Sequence, residues 1–227
     1  MLLIKKNSPP KEFVTYAQQE GARFDDMPSD VKNILRHALL EEQGYVCAYC
    51  MRRIGVDEKG NNVKIEHYCA RSSSNELDYN NLLAVCKGNV GEPRRKQSCD
   101  THKGNQVLHI DPQRQGDINT ISYSSDGFID SSNAEFKKDL DDVLNLNAKE
   151  GYLISNRREA LEKFRNNISK KLGKRSATHE DWQKFAKIVK DDNGKYISYA
   201  GIVLWYINGK LVKSSKRCAQ KKLIDKR

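Results

Sequence analysis

Four short stretches decide the fold of this chain: residues 47–50 read CAYC, residues 65–67 read IEH, residues 81–86 read NLLAVC and residues 99–104 read CDTHKG. They hold four thiols in an order typical of a metal site, with an acid–histidine pair and an asparagine between them. The thiols predict a structural zinc site, because Zn²⁺ binds four thiolates in a tetrahedral arrangement. The other polar residues predict a second, catalytic site beside it.

The predicted zinc ligands are Cys47, Cys50, Cys86 and Cys99. Disulfides are not expected, because a reducing cytoplasm would break them. Residues 87–98 are basic and predict a loop held at both ends by the metal. Cys69, two residues after His67, is predicted to be a small packed side chain. Cys218 lies in a basic segment and is predicted to have no role in the metal site.

Composition describes a water-soluble protein with a polyanionic partner. The 227 residues are 37% hydrophobic and 31% charged, with a formal net charge of +10. An excess of positive charge favours binding to nucleic acid, because phosphate contacts release counterions, although a basic protein without such a partner would look the same. The apolar start of the chain, residues 1–4, is too short for a signal peptide core, and no later apolar run could span a bilayer. We therefore expect a cytoplasmic protein with no membrane partner.

The first half of the chain is expected to combine helices with one hairpin, an α+β arrangement. Helices are predicted at 11–20 and from Pro28 to Gly44, where apolar residues recur at helical spacing. Residues 63–67 alternate as a strand does, residues 81–86 form the return strand, and a short helix starts near Asp100. The polar stretch 57–62 reads as the turn of a hairpin leading into the first strand.

The second half is expected to be mostly helical. The pair Asp126-Gly127 predicts a β-hairpin; helices are predicted from 133 onward, at 157–172, at 179–189 and at 196–206, the last of which could also be a strand. The predicted units are an N-terminal helical and partner-docking segment (1–44), a metal-bearing core (45–110), a hairpin with helices (111–212) and a basic mobile tail (213–227).

The acid–histidine pair predicts hydrolysis of phosphodiesters. His67 suits a general base at neutral pH because an unperturbed imidazole has a pKa near 6.5. Glu66 and Asp100 are suitable ligands for an oxygen-preferring cation such as Mg²⁺ or Mn²⁺. Neighbouring residues on a strand point to opposite faces, so Glu66 and His67 can share a site only where the strand ends or bulges.

These residues resemble the HNH endonucleases, whose nuclease core is the ββα-metal fold. The matching positions are Glu66-His67, then Asn81 in residues 81–86, then Cys99-Asp100 with Lys103-Gly104 following. The resemblance implies that His67 is the base, that Glu66 and Asp100 hold the catalytic cation, and that Asn81 ties the loop and orients the histidine. It also implies that the four thiols hold the structural zinc of the zinc-stapled branch. Asp100 stands where Asn or His is more usual.

A finer resemblance covers most of the chain. The segments 42–50, 65–67 and 78–83 are similar to those of PtuB-type HNH effectors of Septu and some retron anti-phage systems. That resemblance implies a toxic nuclease restrained or triggered by a PtuA-like ATPase, with DNA or RNA as substrate. In a retron setting it also implies a reverse transcriptase and its single-stranded DNA as partners.

Several polar residues have two interpretations. Lys103 and Arg71 could contact the scissile phosphate or be solvated charges, and His102 is expected to point away from the metal ligands because it lies two residues from Asp100 on a helix. Aromatic residues near the C-terminus could stack on bases but more often belong to a helix core; they are Tyr196, Tyr199, Trp205 and Tyr206.

The alternative function is a non-catalytic zinc module that binds nucleic acid or an ATPase. Such a module would have no use for the acid–base–acid set.

Overall fold

The computed structural model describes the backbone of residues 1–57 and 60–224, and the side chains of residues 1–55 and 62–215. Two helices come first: α1 spans Lys11–Ala17 and α2 spans Ser29–Glu42. Each follows a proline, Pro10 or Pro28, whose fixed φ suits the residue before a helix. The apolar face of α2 is buried through Leu35, Leu39 and Leu40. Both predicted helices are confirmed, although α1 ends before residue 20.

Gly44 ends the α2 region in the left-handed part of φ space, with φ of 62°. A Cβ at this position would lie 2.5 Å from Cδ2 of Tyr196, so the chain can pass this aromatic ring only as glycine. The turn that follows leads directly to Cys47, and the first two thiols are thereby placed against the end of α2.

Two short hairpins follow. Strands β1 (Val56–Asp57) and β2 (Gly60–Asn61) pair antiparallel, and the turn between them, residues 58–59, lies outside the described residues. Strands β3 (Val63–His67) and β4 (Leu82–Cys86) also pair antiparallel, from Val63 opposite Cys86 to His67 opposite Leu82. All of β4 is buried.

Helix α3 (Cys99–Lys103) packs against β4 and completes a strand–strand–helix unit. A 3₁₀ turn at Tyr79–Asn81 leads into β4, and another at Arg94–Lys96 lies in the predicted basic loop. The predicted order of two strands and a helix is confirmed, and the mixture of helices with small sheets agrees with the expected α+β class.

The second half contains a hairpin and helices. After α4 (Gln115–Asn119), β5 (Ile121–Tyr123) pairs with β6 (Ile129–Ser131) across the predicted Asp126-Gly127 turn. The remaining helices are α5 (Ala134–Lys138), a π-helical segment at Asp139–Val143, α6 (Leu153–Leu172), α7 (His179–Lys187) and α8 (Ala200–Ile224).

Two predictions for this half need correction. The helix predicted at 196–206 begins only at Ala200, because Tyr196 pairs with Lys190 in a β-bridge and Tyr199 has a positive φ of 59°. The segment predicted as a tail, 213–227, is helical through Ile224 as the end of α8. Its Lys, Arg, Gln and Ala residues have good helix propensity even without an apolar period. Residues 225–227 lie outside the described range, as does the side chain of Cys218.

The N-terminal segment is tied into the core by a buried carboxylate. Glu42 accepts hydrogen bonds from the Asn7 backbone and the Tyr79 hydroxyl at 3.1 and 3.0 Å and pairs with the Lys6 ammonium. Lys6 also donates to the Leu82 carbonyl at the start of β4.

Within the described residues, no helix combines the length and the apolar character needed to cross a membrane.

Candidate metal centre and active site

Four thiols meet in the interior. The Sγ atoms of Cys47, Cys50, Cys86 and Cys99 all lie within 4.8 Å of one another, and all four residues are buried. The Sγ–Sγ separations are 3.8 Å for Cys47–Cys99, 3.7 Å for Cys50–Cys86 and 3.7 Å for Cys86–Cys99. A tetrahedral zinc with Zn–S bonds of about 2.3 Å requires thiolates about 3.8 Å apart. The four cysteines could therefore hold zinc in the geometry that they already have.

Three different elements supply these thiols. Cys47 and Cys50 lie on the turn after α2, which is closed by a hydrogen bond from the Met51 amide to the Cys47 carbonyl at 3.1 Å. Cys86 ends β4 and Cys99 begins α3. A metal held by this set would join the turn, β4 and α3. Asp100 lies on α3, and Glu66 and His67 lie on β3, which pairs with β4.

Buried positive charge faces the thiols. Burial lowers the pKa of Arg157, while the nearby negative charge of Tyr123 and Cys50 opposes that shift. Burial acts in the same direction on Arg52, but the negative charge of Cys50 and Cys86 and the interaction with Tyr199 together outweigh it and raise the pKa of Arg52. Four thiolates and one Zn²⁺ carry a net negative charge, so two guanidinium groups nearby reduce the cost of burying it.

The acid, the histidine and the aspartate line one cavity of about 280 Å³, which we call the His67 cavity. Glu66 and His67 are the last two residues of β3, and Asp100 comes from the first turn of α3. The two strand neighbours both reach the cavity because His67 is the terminal residue of β3, where regular alternation stops. The sequence required that the strand end or bulge at Glu66 and His67 if both were to share a site, and β3 ends at His67.

His67 is oriented by a backbone oxygen. Its Nε2 lies 3.0 Å from the carbonyl oxygen of Glu76. A carbonyl can only accept, so Nε2 carries the proton and donates, and Nδ1 keeps its lone pair. Phe24 packs edge-on against the imidazole at 4.6 Å between ring centroids. Burial lowers the pKa of His67, and the hydrogen bond to the Glu76 carbonyl opposes that shift.

The loop that supplies this carbonyl is fixed at several points. The Asn81 side chain accepts from the Cys69 amide at 2.7 Å and donates to the carbonyls of Cys69 and Asn75 at 3.2 and 3.4 Å. The Glu76 carboxylate accepts from Arg23 Nε at 2.6 Å and from the Phe24 amide at 3.1 Å. Asn81 thus ties the loop and reaches His67 only through it.

The two carboxylates are close to each other and to two lysines. Burial raises the pKa of Glu66 to about 8, hydrogen bonding and charge repulsion from Asp100 add to this, and Lys103 opposes it. Burial also acts to raise the pKa of Asp100, but its hydrogen bonds with Glu66 and Lys64 outweigh burial and lower it. Lys64 forms an ion pair with Asp100, and the Tyr49 hydroxyl donates to Glu66 at 3.3 Å.

This donor set fits a hard divalent cation. Mg²⁺ typically takes one or two protein carboxylates and fills its remaining positions with water and substrate phosphate. Glu66 and Asp100 supply two carboxylates at the wall of an open cavity. Among the residues with described side chains, the only group of three or more metal-ligating side chains is the cysteine cluster, so the carboxylate pair suits an ion that keeps much of its water.

Lys103 lines the His67 cavity, but its ammonium is buried and paired with Glu66. Its side chain is only 1% exposed, and its ammonium lies 2.9 Å from Glu66 Oε1. Arg71, the other expected phosphate contact, lies at the cavity rim and pairs with Asp25 at 2.6 Å. His102 Nδ1 lies 2.9 Å from the Val143 carbonyl, so its ring points away from the carboxylates, as expected.

Sequence reasoning missed four residues of this site: Phe24, Tyr49, Lys64 and Glu76. Phe24 lies on a loop far from residue 67 in the sequence, Glu76 lies on the loop that follows β3, and no local pattern marks either of them. Tyr49 and Lys64 carried a weak signal, because each lies within or beside a stretch already singled out.

The aromatic residues considered for base stacking differ in burial. Tyr199 is buried, whereas Tyr196, Trp205 and Tyr206 are half-buried at the margin of the core.

Comparisons with known proteins agree with this geometry. No family model matches the chain. A protein of Vibrio cholerae serotype O1 biovar El Tor named "Retron Vc95 putative HNH endonuclease" is 26% identical over 214 residues, covering 87% of this chain and 97% of that protein. A similarity spread over nearly the whole of both chains supports an HNH endonuclease, and it fits the zinc-binding α+β arrangement found here.

Proposed function

We propose that this protein is a metal-dependent HNH endonuclease that hydrolyses phosphodiester bonds of nucleic acid. One observation carries the proposal: His67 has its Nε2 committed to the Glu76 carbonyl and shares a cavity with the Glu66–Asp100 pair. A base with a free lone pair beside two carboxylates is what hydrolysis of a phosphodiester requires. A zinc module used only for binding would need neither.

Each residue then has a distinct role. Nδ1 of His67 takes the proton of the attacking water. Glu66 and Asp100 hold Mg²⁺ or Mn²⁺, which when bound would stabilise the developing charge on the phosphate and the leaving oxygen. Lys103 holds Glu66 in place, Asn81 holds the loop that orients His67, and Arg71 at the rim is available to the phosphate backbone.

The core is proposed to be a ββα-metal unit made of β3, β4 and α3, stapled by zinc on Cys47, Cys50, Cys86 and Cys99. In this unit the zinc has no catalytic role. It fixes the start of α3, and with it Asp100, against the end of β4.

We further propose that the nuclease is the toxic effector of an anti-phage system of the PtuB type, acting in the cytoplasm under a PtuA-like ATPase. The retron setting in the relative's name supports such a system, with a reverse transcriptase and its single-stranded DNA as further partners. The N-terminal segment is suited to regulation by a partner, because Phe24 on the loop between α1 and α2 contacts the proposed base.

The test of the nuclease function is His67→Ala with His102→Ala as its control. Both variants remove one half-buried imidazole, but only His67 faces the cavity. Cleavage of plasmid DNA and of transfer or messenger RNA, measured with Mg²⁺ or Mn²⁺, should fall roughly 10²- to 10⁴-fold in His67→Ala and much less in His102→Ala. Zinc content and thermal unfolding should stay unchanged in both. Undiminished cleavage by His67→Ala would favour the non-catalytic zinc module instead.

A further inference from the structure

A second cavity, which we call the Arg165 cleft, lies among α6, α7 and α8 and has a volume of about 630 Å³. It shares no lining residue with the His67 cavity. Among the residues with described side chains, its lining includes four cationic side chains and a histidine, and no aspartate or glutamate. These five residues are Arg165, Arg175, His179, Lys210 and Lys213. A cleft with this lining attracts anions.

Three of the cations are available to a ligand. Within the described residues, Arg165, Lys210 and Lys213 take part in no ion pair. The buried Nε of Arg165 also has no hydrogen-bond partner among them. Arg175 differs, because it forms a two-pronged pair with Asp181 at 2.5 and 3.1 Å. It therefore shapes the wall and contributes less to binding.

Flat groups lie beside these charges. The Arg165 guanidinium lies over the Tyr206 ring, 4.6 Å from its centroid, and the Lys210 ammonium lies 5.2 Å from the same centroid. Trp182 packs edge-on against Tyr206 at 5.9 Å and fixes that ring. A guanidinium held over an aromatic ring can stack on a nucleobase and donate to a phosphate.

The remaining lining combines apolar side chains, Ile168, Leu172 and Ala177, with hydrogen-bonding ones. His179 Nδ1 lies 2.9 Å from the Ser214 hydroxyl, and the hydroxyl itself donates to the Leu211 carbonyl at 2.8 Å. Because that hydroxyl already donates, Nδ1 of His179 donates the proton of this contact. The Ser169, Ser176 and Thr178 side chains add hydroxyls to the lining. Unpaired cations, an aromatic ring and hydroxyls together suit a strand of nucleotides better than an acidic peptide, which offers nothing to stack.

We propose that the Arg165 cleft binds single-stranded nucleic acid, with Lys210 and Lys213 on phosphates and with a base or phosphate against Arg165 above Tyr206. This site goes beyond the proposed nuclease function and does not rest on it, because binding here needs none of the groups in the His67 cavity. Its role would be to hold a strand outside the place where hydrolysis occurs.

The experiment measures binding of fluorescein-labelled single strands of about 12 nucleotides, both DNA and RNA, to the full chain by fluorescence anisotropy without added divalent cations. Lys210→Gln/Lys213→Gln removes two charges from the cleft. Lys184→Gln/Lys187→Gln removes two exposed charges from α7 outside the cleft and is the matched control. The cleft variant should weaken binding roughly tenfold and the control less than about twofold.

Salt dependence and competition sharpen the test. With three phosphate contacts, the logarithm of the association constant should fall with the logarithm of the salt concentration with a slope of about −2 for a single strand. In the cleft variant the magnitude of this slope should be below about 1. Arg165→Gln and Tyr206→Leu should each weaken binding more than the control variant does. If Tyr206→Leu shows no cooperative thermal unfolding and is therefore not folded, Arg165→Gln alone tests this part of the cleft. Equal losses in the cleft variant and the control would overturn the proposal, as would stronger competition by polyglutamate than by unlabelled oligonucleotide. His67→Ala should bind normally, so a failure of the nuclease function would leave this result intact.

Discussion

The ammonium of Lys103 lies 2.9 Å from Oε1 of Glu66, and the two side chains are only 1% and 6% exposed. Lys103 also lies within 3.4 and 3.3 Å of the carbonyl oxygens of His67 and Gly104. A lysine buried this deeply cannot reach a phosphate in the open cavity without leaving its partner. Its place in the structure ties α3 to the end of β3.

This pair gives a stability prediction. Above about pH 8, where Glu66 is ionised, Lys103→Ala leaves its carboxylate buried without its cation, which should cost about 3 kcal/mol. Lys64→Ala is the control, because Lys64 also pairs with a carboxylate but is 40% exposed, so it should cost less than about 1 kcal/mol. Denaturant unfolding with zinc in excess measures both. If Lys103→Ala kept wild-type stability and lost only nucleic-acid affinity, the phosphate contact expected from the sequence would be the correct interpretation.

Zinc removal should unfold the core. Four thiolates on one Zn²⁺ contribute folding free energy on the order of 10 kcal/mol at neutral pH, so Cys47→Ser or Cys99→Ser should give insoluble or protease-sensitive protein. Cys69→Ser is the control, since Cys69 is an exposed free thiol. Elemental analysis should find one zinc per chain in the wild type and in the control. Folded, soluble wild-type protein without zinc would refute the assignment.

The carboxylate pair predicts a change in metal requirement. Asp100→Ala should reduce cleavage and raise the concentration of Mg²⁺ or Mn²⁺ needed for half-maximal activity, because it removes one of two proposed ligands. Asp100→Asn keeps one oxygen ligand and should fall between the wild type and Asp100→Ala. The titration is done with zinc content checked in parallel. An unchanged metal requirement in Asp100→Ala would remove Asp100 from the site.

Phe24 is predicted to position the base. Phe24→Ala removes the ring that packs on His67, so the imidazole gains freedom and turnover should fall roughly tenfold with little change in the metal requirement. Phe128→Ala is the control, because Phe128 is 45% exposed on the β5–β6 hairpin. Steady-state kinetics on one substrate separates the two variants. Equal rates in Phe24→Ala and Phe128→Ala would show that the contact has no bearing on the reaction.

Regulation by a partner predicts that the purified chain alone is a poor or unspecific nuclease. A basic surface gives weak, salt-sensitive binding to nucleic acid, so specificity and restraint should come from the bound ATPase. Co-expression with a PtuA-like ATPase, followed by co-purification and cleavage assays, measures this. Fully regulated and specific cleavage by the isolated chain would count against such a partner.

Local sequence signals predicted the metal centre and most of the elements. The thiols are recognisable because zinc selects residue types and tolerates different spacings, and the structure brings all four predicted thiols together. Helices α2, α6 and α7 were visible because their apolar residues recur at the helical period. The extension of α8 was missed because propensity without an apolar face gives no periodic signal.

What the sequence could not give is the contact between distant loops. Lys103 carried the charge expected of a phosphate ligand, but its burial depends on how α3 packs against β3. The partner of His67 is likewise chosen by tertiary structure, since the Glu76 carbonyl is one backbone oxygen among many. Nothing in residues 65–67 points to Arg23 or Phe24. Arg23 and the Phe24 amide bind the Glu76 carboxylate and so hold the loop that carries the carbonyl, and the Phe24 ring packs against the imidazole of His67.

The hydrogen-bond acceptor for His67 is a backbone carbonyl oxygen, and this has an evolutionary consequence. No substitution at position 76 removes a carbonyl oxygen, so the group that selects the tautomer of the base leaves no mark on the residue that supplies it. Selection on the tautomer would instead act on the side chains that hold the loop, namely Asn81, Arg23 and the Glu76 carboxylate. A change at Arg23 or in the Glu76 carboxylate would disturb the proposed base while every residue of the recognised motifs, Asn81 among them, stayed intact.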